Sequence, residues 1–420
     1  MQIRTTTMQR YKTKWGIAAA VFMTLAVTSA LTFVVGATHW SQADLVVDED
    51  GKGTVNNCNS DTPTPHMTVS SAVAAASAGD TIKVCPGAYA EDVTLDKEVT
   101  LRGAKADDSV KYRTFGSSGE STLTGQVTVQ AADVKVEGFS LTNPDKGASV
   151  IVKNAGNDAT VKENIIKTVG GSAFVGAATG IYLERGPDNV KVSENMISDV
   201  KSQTASVHAV FVGDSVSADP SLNTRVNGNI VTDLTSATRG AYGILVNNGS
   251  STNVAATGYT EVKITDNKIK NLSGDWTHAI GLEGETPNAE VTYNTISDLT
   301  DSNPAPSPDA AAVFFESNPF FFTASVNQNS LKVGDDESGI ALHPTLAALY
   351  PSLKVDGECN WWGEGNGPSA IATGDGAMVG ANVDYQPWLK SANIGKGCDS
   401  KSHHGHYGDW GKHDDHWHND

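Results

Sequence analysis

Helical periodicity is almost absent from the body of this 420-residue chain, which excludes a helical bundle as its main architecture. Aromatic residues make up only 7% of the sequence, whereas glycine occurs 41 times, a composition typical of many short strands and turns. Basic residues are also scarce, with 30 lysines and arginines against 48 aspartates and glutamates. A chain with this excess of negative charge is not expected to bind nucleic acid.

Charge of either sign is missing from Trp15 to Ala37, and four basic residues stand immediately before this run. The arrangement is typical of a secretory signal peptide with a cleavage site at Val35–Ala37. The uncharged run has 23 residues, which is also enough to cross a bilayer and to anchor the protein uncut. Both alternatives predict export, to the medium or the cell surface. Cleavage after Ala37 would leave a net charge of −22, from 26 basic and 48 acidic residues.

Cysteine is rare, with four residues that fall in two pairs, one pair near each end of the chain. In an exported protein these thiols are expected to form disulfides. Their placement favours Cys58 with Cys85 and Cys359 with Cys398, which would put one covalent link at each end. The sequence leaves the other two connectivities open.

A pair of short strand patterns recurs through the middle of the chain. The first pattern is a small residue followed by alternating apolar residues, as in Gly180–Leu183 and Gly339–Leu342. The second pattern ends in an asparagine with an apolar residue two positions later. Consecutive asparagines are separated by 31, 34, 38, 27, 35 and 31 residues. The asparagines of this series are Asn164, Asn195, Asn229, Asn267, Asn294, Asn329 and Asn360.

These patterns predict a solenoid whose stacked coils carry loops of variable length. One asparagine per coil, at the same corner, would let the amides hydrogen-bond along the stack at a spacing of about 4.8 Å. Asparagine also tolerates the left-handed backbone that such corners need. Turn formation alone would explain one or two asparagines, but not seven in phase with apolar alternation. This alternation places Ile181, Leu183 and Val192 inside the coil. We therefore predict an all-β fold, a right-handed parallel β-helix solenoid.

The one helical pattern in the body runs from Thr68 to Ala78, with apolar residues on one face and Gly79 as a stop. A short N-terminal helix at this position would cap the solenoid and cover the unpaired edge of its first coil. The predicted organisation is a targeting segment at 1–37, an N-terminal segment at 38–67, the β-helix at 68–390 and a low-complexity tail at 391–420.

Segments at both ends of the predicted solenoid resemble a known superfamily. The run from Ser71 to Ile82, followed by Cys85-Pro-Gly-Ala-Tyr-Ala-Glu91 and Val99-Thr-Leu-Arg-Gly103, resembles the N-terminal part of secreted pectin-lyase-like β-helix proteins. The segment from Cys359 to Pro368, which contains Asn-Trp-Trp-Gly, resembles the closing motif of many members. The resemblance covers roughly residues 44 to 390. It implies a fold rather than an activity, because the superfamily contains lyases, hydrolases, esterases, epimerases and non-enzymatic surface proteins.

The catalytic motifs of the enzymes in this superfamily are missing. The chain has no counterpart of the catalytic aspartate segments of pectinesterases, the paired aspartates of polygalacturonases, the Asp-Pro-His-Glu motif of alginate epimerases or the Asp/Arg patterns of pectate lyases. We therefore expect an exported protein that binds a polysaccharide or another surface component and is non-catalytic or weakly catalytic. The alternatives are a polysaccharide lyase or glycoside hydrolase, and a metal-binding accessory protein.

One outward column of the aligned strands contains aromatic side chains that could stack on sugar rings. The members of this column are Tyr182, Phe211, Leu245, Gly281, Phe314 and Ala341. A sugar-stacking role is the hypothesis for Tyr182, Phe211 and Phe314. Packing of a loop against the strands would explain the same rings.

The next outward column contains Glu283, Glu316 and His343 on three successive coils. Strand spacing would place the two carboxyl groups about 5 Å apart, close enough to shift a pKa and to serve acid–base or glycosidase chemistry. His343 could shuttle a proton, or complete a cation site for Ca²⁺ on the acidic face. A solvated polar stripe is the alternative. His208 and His278 begin equivalent strands, and we interpret them as hydrogen-bonded corner residues of inward or bend position.

The low-complexity tail holds six of the 11 histidines, interleaved with aspartate. These residues are His403, His404, His406, His413, His416 and His418. Neutral imidazoles and carboxylates could bind Zn²⁺, Cu²⁺ or Ni²⁺ loosely. A tail without a metal role is the alternative.

Overall fold

The computed structural model describes residues 44–63, 66–213, 221–247, 262–284, 286–302, 310–334 and 336–398. In these ranges the chain is an all-β parallel β-helix, as predicted. Three all-parallel sheets of 12, 11 and 9 strands are built from strands that follow one another around each coil. One coil, for example, passes through Thr160–Lys162, Ile165–Gly170 and Ala178–Leu183, one strand in each sheet. The predicted leader lies outside the described residues.

The 12-stranded sheet consists of Leu45–Val47, Asp80–Val84, Val99–Arg102, Lys135–Glu137, Thr160–Lys162, Lys191–Ser193, Arg225–Asn227, Lys263–Thr265, Glu290–Thr292, Ser325–Asn327, Val355–Asp356 and Val383–Asp384. The 9-stranded sheet consists of Gly87–Ala90, Ser121–Thr124, Ser140–Asn143, Ile165–Gly170, Met196–Ser202, Ile230–Ser236, Lys268–Gly274, Thr295–Asp301 and Ser330–Lys332.

The 11-stranded sheet carries the two predicted outward columns. It consists of Val93–Leu95, Val127–Val129, Ala148–Val152, Ala178–Leu183, Val207–Gly213, Gly240–Asn247, Trp276–Glu283, Ala310–Glu316, Ser338–Leu342, Pro368–Ala370 and Gly376–Val379. The helices in the described ranges are the α-helices Val69–Ala75 and Pro344–Leu349 and the 3-10 helices Val110–Tyr112, Phe321–Thr323 and Ile394–Lys396.

A continuous apolar core fills the solenoid, and period-2 alternation identified its members correctly. Ile181, Leu183 and Val192 are fully buried. A steric constraint explains the small residue with which the predicted first strands begin, as Gly180 shows. A Cβ atom on Gly180 would lie 2.6 Å from the carbonyl oxygen of Ala209 on the next coil, so the backbones of the two coils approach too closely for a large side chain.

The asparagine series forms a buried ladder between the 12-stranded and 9-stranded sheets. All seven side chains are fully buried. The Oδ1 atom of Asn229 accepts hydrogen bonds of 3.0 Å from the backbone N and the Nδ2 of Asn195, and its own Nδ2 donates to the Oδ1 of Asn267 at 3.0 Å. The left-handed backbone expected of the asparagines belongs instead to the residue before each one, such as Glu194 with a φ of 56°. The asparagines themselves are not among the described residues with positive φ.

The N-terminal helix spans Val69–Ala75 and ends three residues before the predicted end at Ala78. Thr68 caps it by accepting from the backbone N of Ser71 at 3.2 Å. The helix stops early because Ala76 is already extended, and Ser77 donates to the Asp80 side chain ahead of the next strand. No helix in the described ranges has the length and apolar character of a membrane span.

Both predicted disulfides are present. Cys58 pairs with Cys85 and Cys359 pairs with Cys398, with Cα–Cα distances of 5.6 and 5.3 Å. Each bond links two segments near one end of the chain, so the connectivity that placement favoured is confirmed.

Candidate functional site

The carboxyl-terminal ends of three neighbouring strands in the 11-stranded sheet bring polar side chains together. Parallel pairing places Asn247 beside Glu283, and Glu283 beside Glu316. Each of these residues directly follows a buried apolar residue and closes its strand, so alternation turns its side chain outward. The register proposed for the two glutamates is thus the observed register.

Glu283 is half-buried, and hydrogen-bonding groups surround its carboxyl. The Asn247 Nδ2 atom donates to its Oε2 at 2.8 Å, and the Glu316 carboxyl and the Tyr242 hydroxyl are within hydrogen-bonding reach. Burial, followed by the negative charge of Glu316, raises the pKa of Glu283 to about 8, and the Asn247 and Tyr242 hydrogen bonds oppose the rise. With a pKa of about 8, the Glu283 carboxyl is therefore mostly protonated at neutral pH.

Tyr242 was not identified from the sequence as a residue of this site. Its hydroxyl accepts a 2.8 Å hydrogen bond from the Trp276 indole Nε1, which orients the ring toward Glu283. Burial, with the nearby Glu283 and Glu316 charges, raises the pKa of Tyr242. The sequence did contain a signal for this residue. Tyr242 occupies the same strand position as His208 and His278, with which it pairs on the neighbouring strands.

His343 lies at the end of strand Ser338–Leu342, on the coil after Glu316, as predicted. Its backbone N donates to the carbonyl oxygen of Phe315 at 2.9 Å, and its Nδ1 accepts from the backbone N of Thr345 at 3.3 Å. The imidazole therefore caps the helix Pro344–Leu349 through Nδ1, and Nε2 is the ring nitrogen left for a ligand.

A cavity of about 390 Å³ opens beside these residues. It is lined by Glu316, Ser317, Pro319, His343, Thr345, Leu346, Leu349 and Tyr350. Its walls combine one carboxylate, one imidazole, three hydroxyl groups and several apolar groups. Glu283 does not line the cavity but contacts it through Glu316.

The charge at this site is not neutralised by a neighbouring base. Within the described ranges no lysine or arginine forms an ion pair with Glu283 or Glu316. Three coils earlier in the same column, Glu184 is paired with Lys153. In the described part of the chain, Lys153 thus neutralises the outward Glu184, whereas Glu283 and Glu316 have no lysine or arginine as an ion-pair partner.

The aromatic column has the predicted register, with Tyr182 beside Phe211 and Gly281 beside Phe314. The rings of Tyr182 and Phe211 stack at 5.2 Å and are half-buried. Phe314 is 5% exposed and stacks on His278 at 4.1 Å. Packing therefore occupies the Phe314 ring, whereas Tyr182 and Phe211 keep exposed surface, and sugar stacking stays a prediction for those two.

His208 and His278 do not lie inside the coil. Their rings stack on the outward rings of Phe211 and Phe314, at 4.8 and 4.1 Å. The Nδ1 of His208 is hydrogen-bonded to the Thr179 hydroxyl at 3.2 Å, but that of His278 has no partner among the described residues. Burial lowers the pKa of both histidines to about 3.

The candidate metal ligands are not brought into a site by the described part of the chain. The six tail histidines lie beyond residue 398, outside the described residues. The one cluster of three metal-binding residue types in the described ranges is Asp48 with Cys58 and Cys85, and its two sulfur atoms are bonded to each other. Metal binding by the tail and Ca²⁺ binding on the acidic face stay predictions.

Neither a protein-family model nor a curated protein matches this sequence.

Proposed function

We propose that this chain is an exported, pectin-lyase-like β-helix protein that binds a polysaccharide on the outward face of its 11-stranded sheet. One observation carries the proposal: the strand register aligns a half-exposed aromatic stack at Tyr182 and Phe211 with an un-neutralised carboxyl pair at Glu283 and Glu316 on the same face. Aromatic faces pack against the apolar side of a sugar ring, and carboxyl groups hydrogen-bond its hydroxyls. The two disulfides support export, since such bonds persist in oxidising compartments.

The contact between Glu283 and Glu316 favours binding over glycoside hydrolysis. Retaining glycosidases separate their two carboxyl groups by about 5 Å, and inverting enzymes separate them by about 6.5–9.5 Å. Here parallel pairing places Glu283 directly beside Glu316, and the Glu316 carboxyl is close enough to raise the pKa of Glu283, so the two groups interact with each other rather than flank a scissile bond. The pair is suited to receive a ligand at its outer side.

A lyase or hydrolase is the second candidate, because the pKa of Glu283 is raised to about 8 and a protonated carboxyl can act as a general acid at neutral pH. On that alternative, Glu283→Gln would abolish release of shortened oligosaccharide while leaving polysaccharide binding intact. A product assay on neutral, amino and acidic glycans separates the two candidates. Release of cleaved product by the unmodified chain would overturn the binding proposal.

We expect the double substitution Tyr182→Ala with Phe211→Ala to weaken polysaccharide binding at least tenfold, because two stacking surfaces are lost and tenfold corresponds to about 1.4 kcal/mol. A glycan array identifies the ligand, and titration calorimetry gives the dissociation constants. Tyr112→Ala is the matched control, since Tyr112 is 90% exposed on the 3-10 helix Val110–Tyr112, outside this sheet. Equal affinity in the double variant and the control would contradict the proposed face.

A further inference from the structure

The cavity beside Glu316 has an unusual combination of walls. Glu316 is the one acidic residue that lines it, and the cavity is lined by no lysine or arginine in the described ranges. The apolar side chains of Leu346 and Leu349 and the ring of Tyr350 also line it. Leu349 is 67% exposed, so the apolar wall is open to a ligand. A ligand that fits must offer both an apolar face and a group that pairs with a carboxylate.

Glu316 lies in a partly desolvated position beside Glu283. Glu316 and Glu283 are both half-buried, and an uncompensated charge in such surroundings is costly. Elsewhere on the solenoid acidic side chains have cationic neighbours, as Glu290 has Lys263 at 2.9 Å. A cationic ligand would supply at Glu316 the partner that the protein supplies at Glu290.

His343 adds a hydrogen-bonding imidazole to the same cavity. Its Nδ1 accepts from the helix backbone at 3.3 Å, so Nε2 is the ring nitrogen left to donate to a hydroxyl. The cavity thus offers one carboxylate for a cation, one donor for a hydroxyl and an apolar wall for C–H groups.

We infer that this cavity binds an unacetylated amino sugar of a polysaccharide, with the sugar ammonium group paired to Glu316. The inference rests on the proposed polysaccharide binding and names its ligand class. The hydroxyl next to the ammonium group accepts from His343, and the ring packs on Leu349 and Tyr350. A uronate would bring a second negative charge to Glu316, and an N-acetylated sugar would bring no charge to neutralise it.

The experiment is titration calorimetry on the full chain at about pH 6, where an amine is protonated. The probes are a glucosamine tetramer, an N-acetylglucosamine tetramer and a galacturonate tetramer. We expect the glucosamine tetramer to bind at least tenfold more tightly than either of the others. Glu316→Gln should remove that preference, because glutamine cannot pair with the ammonium group as a carboxylate does.

Glu290→Gln is the matched control, since Glu290 is a partly exposed glutamate of the 12-stranded sheet, and it should leave all three affinities unchanged. Equal binding of the three tetramers, or a preference that survives Glu316→Gln, would overturn the amino-sugar inference while polysaccharide binding stands. If no tetramer binds and the glycan array is also blank, the proposed function itself fails.

Discussion

Replacing Asn229 by leucine will lower the free energy of unfolding by about 3–5 kcal/mol, because buried polar groups left without partners cost about 1–3 kcal/mol each. Asn229 is fully buried. Its Oδ1 accepts from the backbone N of Asn195 at 3.0 Å, and its Nδ2 donates to the carbonyl oxygen of Val192 at 2.9 Å. Leucine supplies neither group, so a backbone donor and a backbone acceptor are stranded inside the solenoid.

Asn227→Leu is the matched control for this prediction. Asn227 lies two residues away on an outward position of the 12-stranded sheet and is partly exposed. Urea denaturation followed by far-ultraviolet circular dichroism measures both variants. The free energy of unfolding should fall for Asn229→Leu. For Asn227→Leu it should stay within about 0.5 kcal/mol of the value for the unmodified chain. Similar losses in both variants would show that the ladder amide is not the source of the stability.

Acid will unfold this protein through His208 and His278. Both pKa values fall from 6.5 to about 3 in the folded state because the rings are buried. Between pH 6.5 and pH 3 the unfolded chain binds a proton at each histidine and the folded chain does not. The stability that these neutral histidines contribute is therefore complete above pH 6.5 and is lost as the pH falls toward 3. At pH 4.5 the loss is roughly 3 kcal/mol per histidine, from about 1.4 kcal/mol for each pH unit below 6.5.

The variant His208→Phe with His278→Phe tests this mechanism. Phenylalanine preserves the ring stack and has no proton to bind, so the double variant should unfold at a pH at least half a unit lower than the unmodified chain. His66→Phe serves as the control, because His66 is only partly buried. Glu283 has the opposite sign, since its raised pKa makes stability fall as the pH rises from 4.5 to about 8. An unchanged acid midpoint in the double variant would exclude the buried histidines as its cause.

The strand alternation, the register of both outward columns and the asparagine ladder were predictable because they depend on local period. A strand turns every second side chain inward, and one repeat per coil stacks equivalent positions on one another. Glu283 and Glu316 are separated by 33 positions in the chain, yet their pairing follows from counting along two similar strands. The two disulfides were predicted for a related reason, since each joins cysteines close in sequence at one end of the solenoid.

The surroundings of those positions were not predictable by counting. Tyr242 and Trp276 meet across neighbouring strands through side-chain torsions that the strand pattern leaves free. The outward packing of His208 and His278 depends on rings that they contact, whereas the strand pattern had indicated an inward or bend position for both. The same packing covered Phe314 and left Tyr182 and Phe211 partly exposed.

By itself, then, the sequence determined which residues share a coil, a face and a column, because a repeating strand pattern has a fixed geometry. Only the tertiary structure decided that Glu283 is partly desolvated, that Glu316 helps to raise the pKa of Glu283, and that a cavity lined by His343 and Tyr350 opens beside the pair. The burial of each of these side chains, and the electrostatic field that acts on it, depend on all of its neighbours. These neighbours come from several coils and from the helix that follows His343. Both properties are fixed only when the coils have packed.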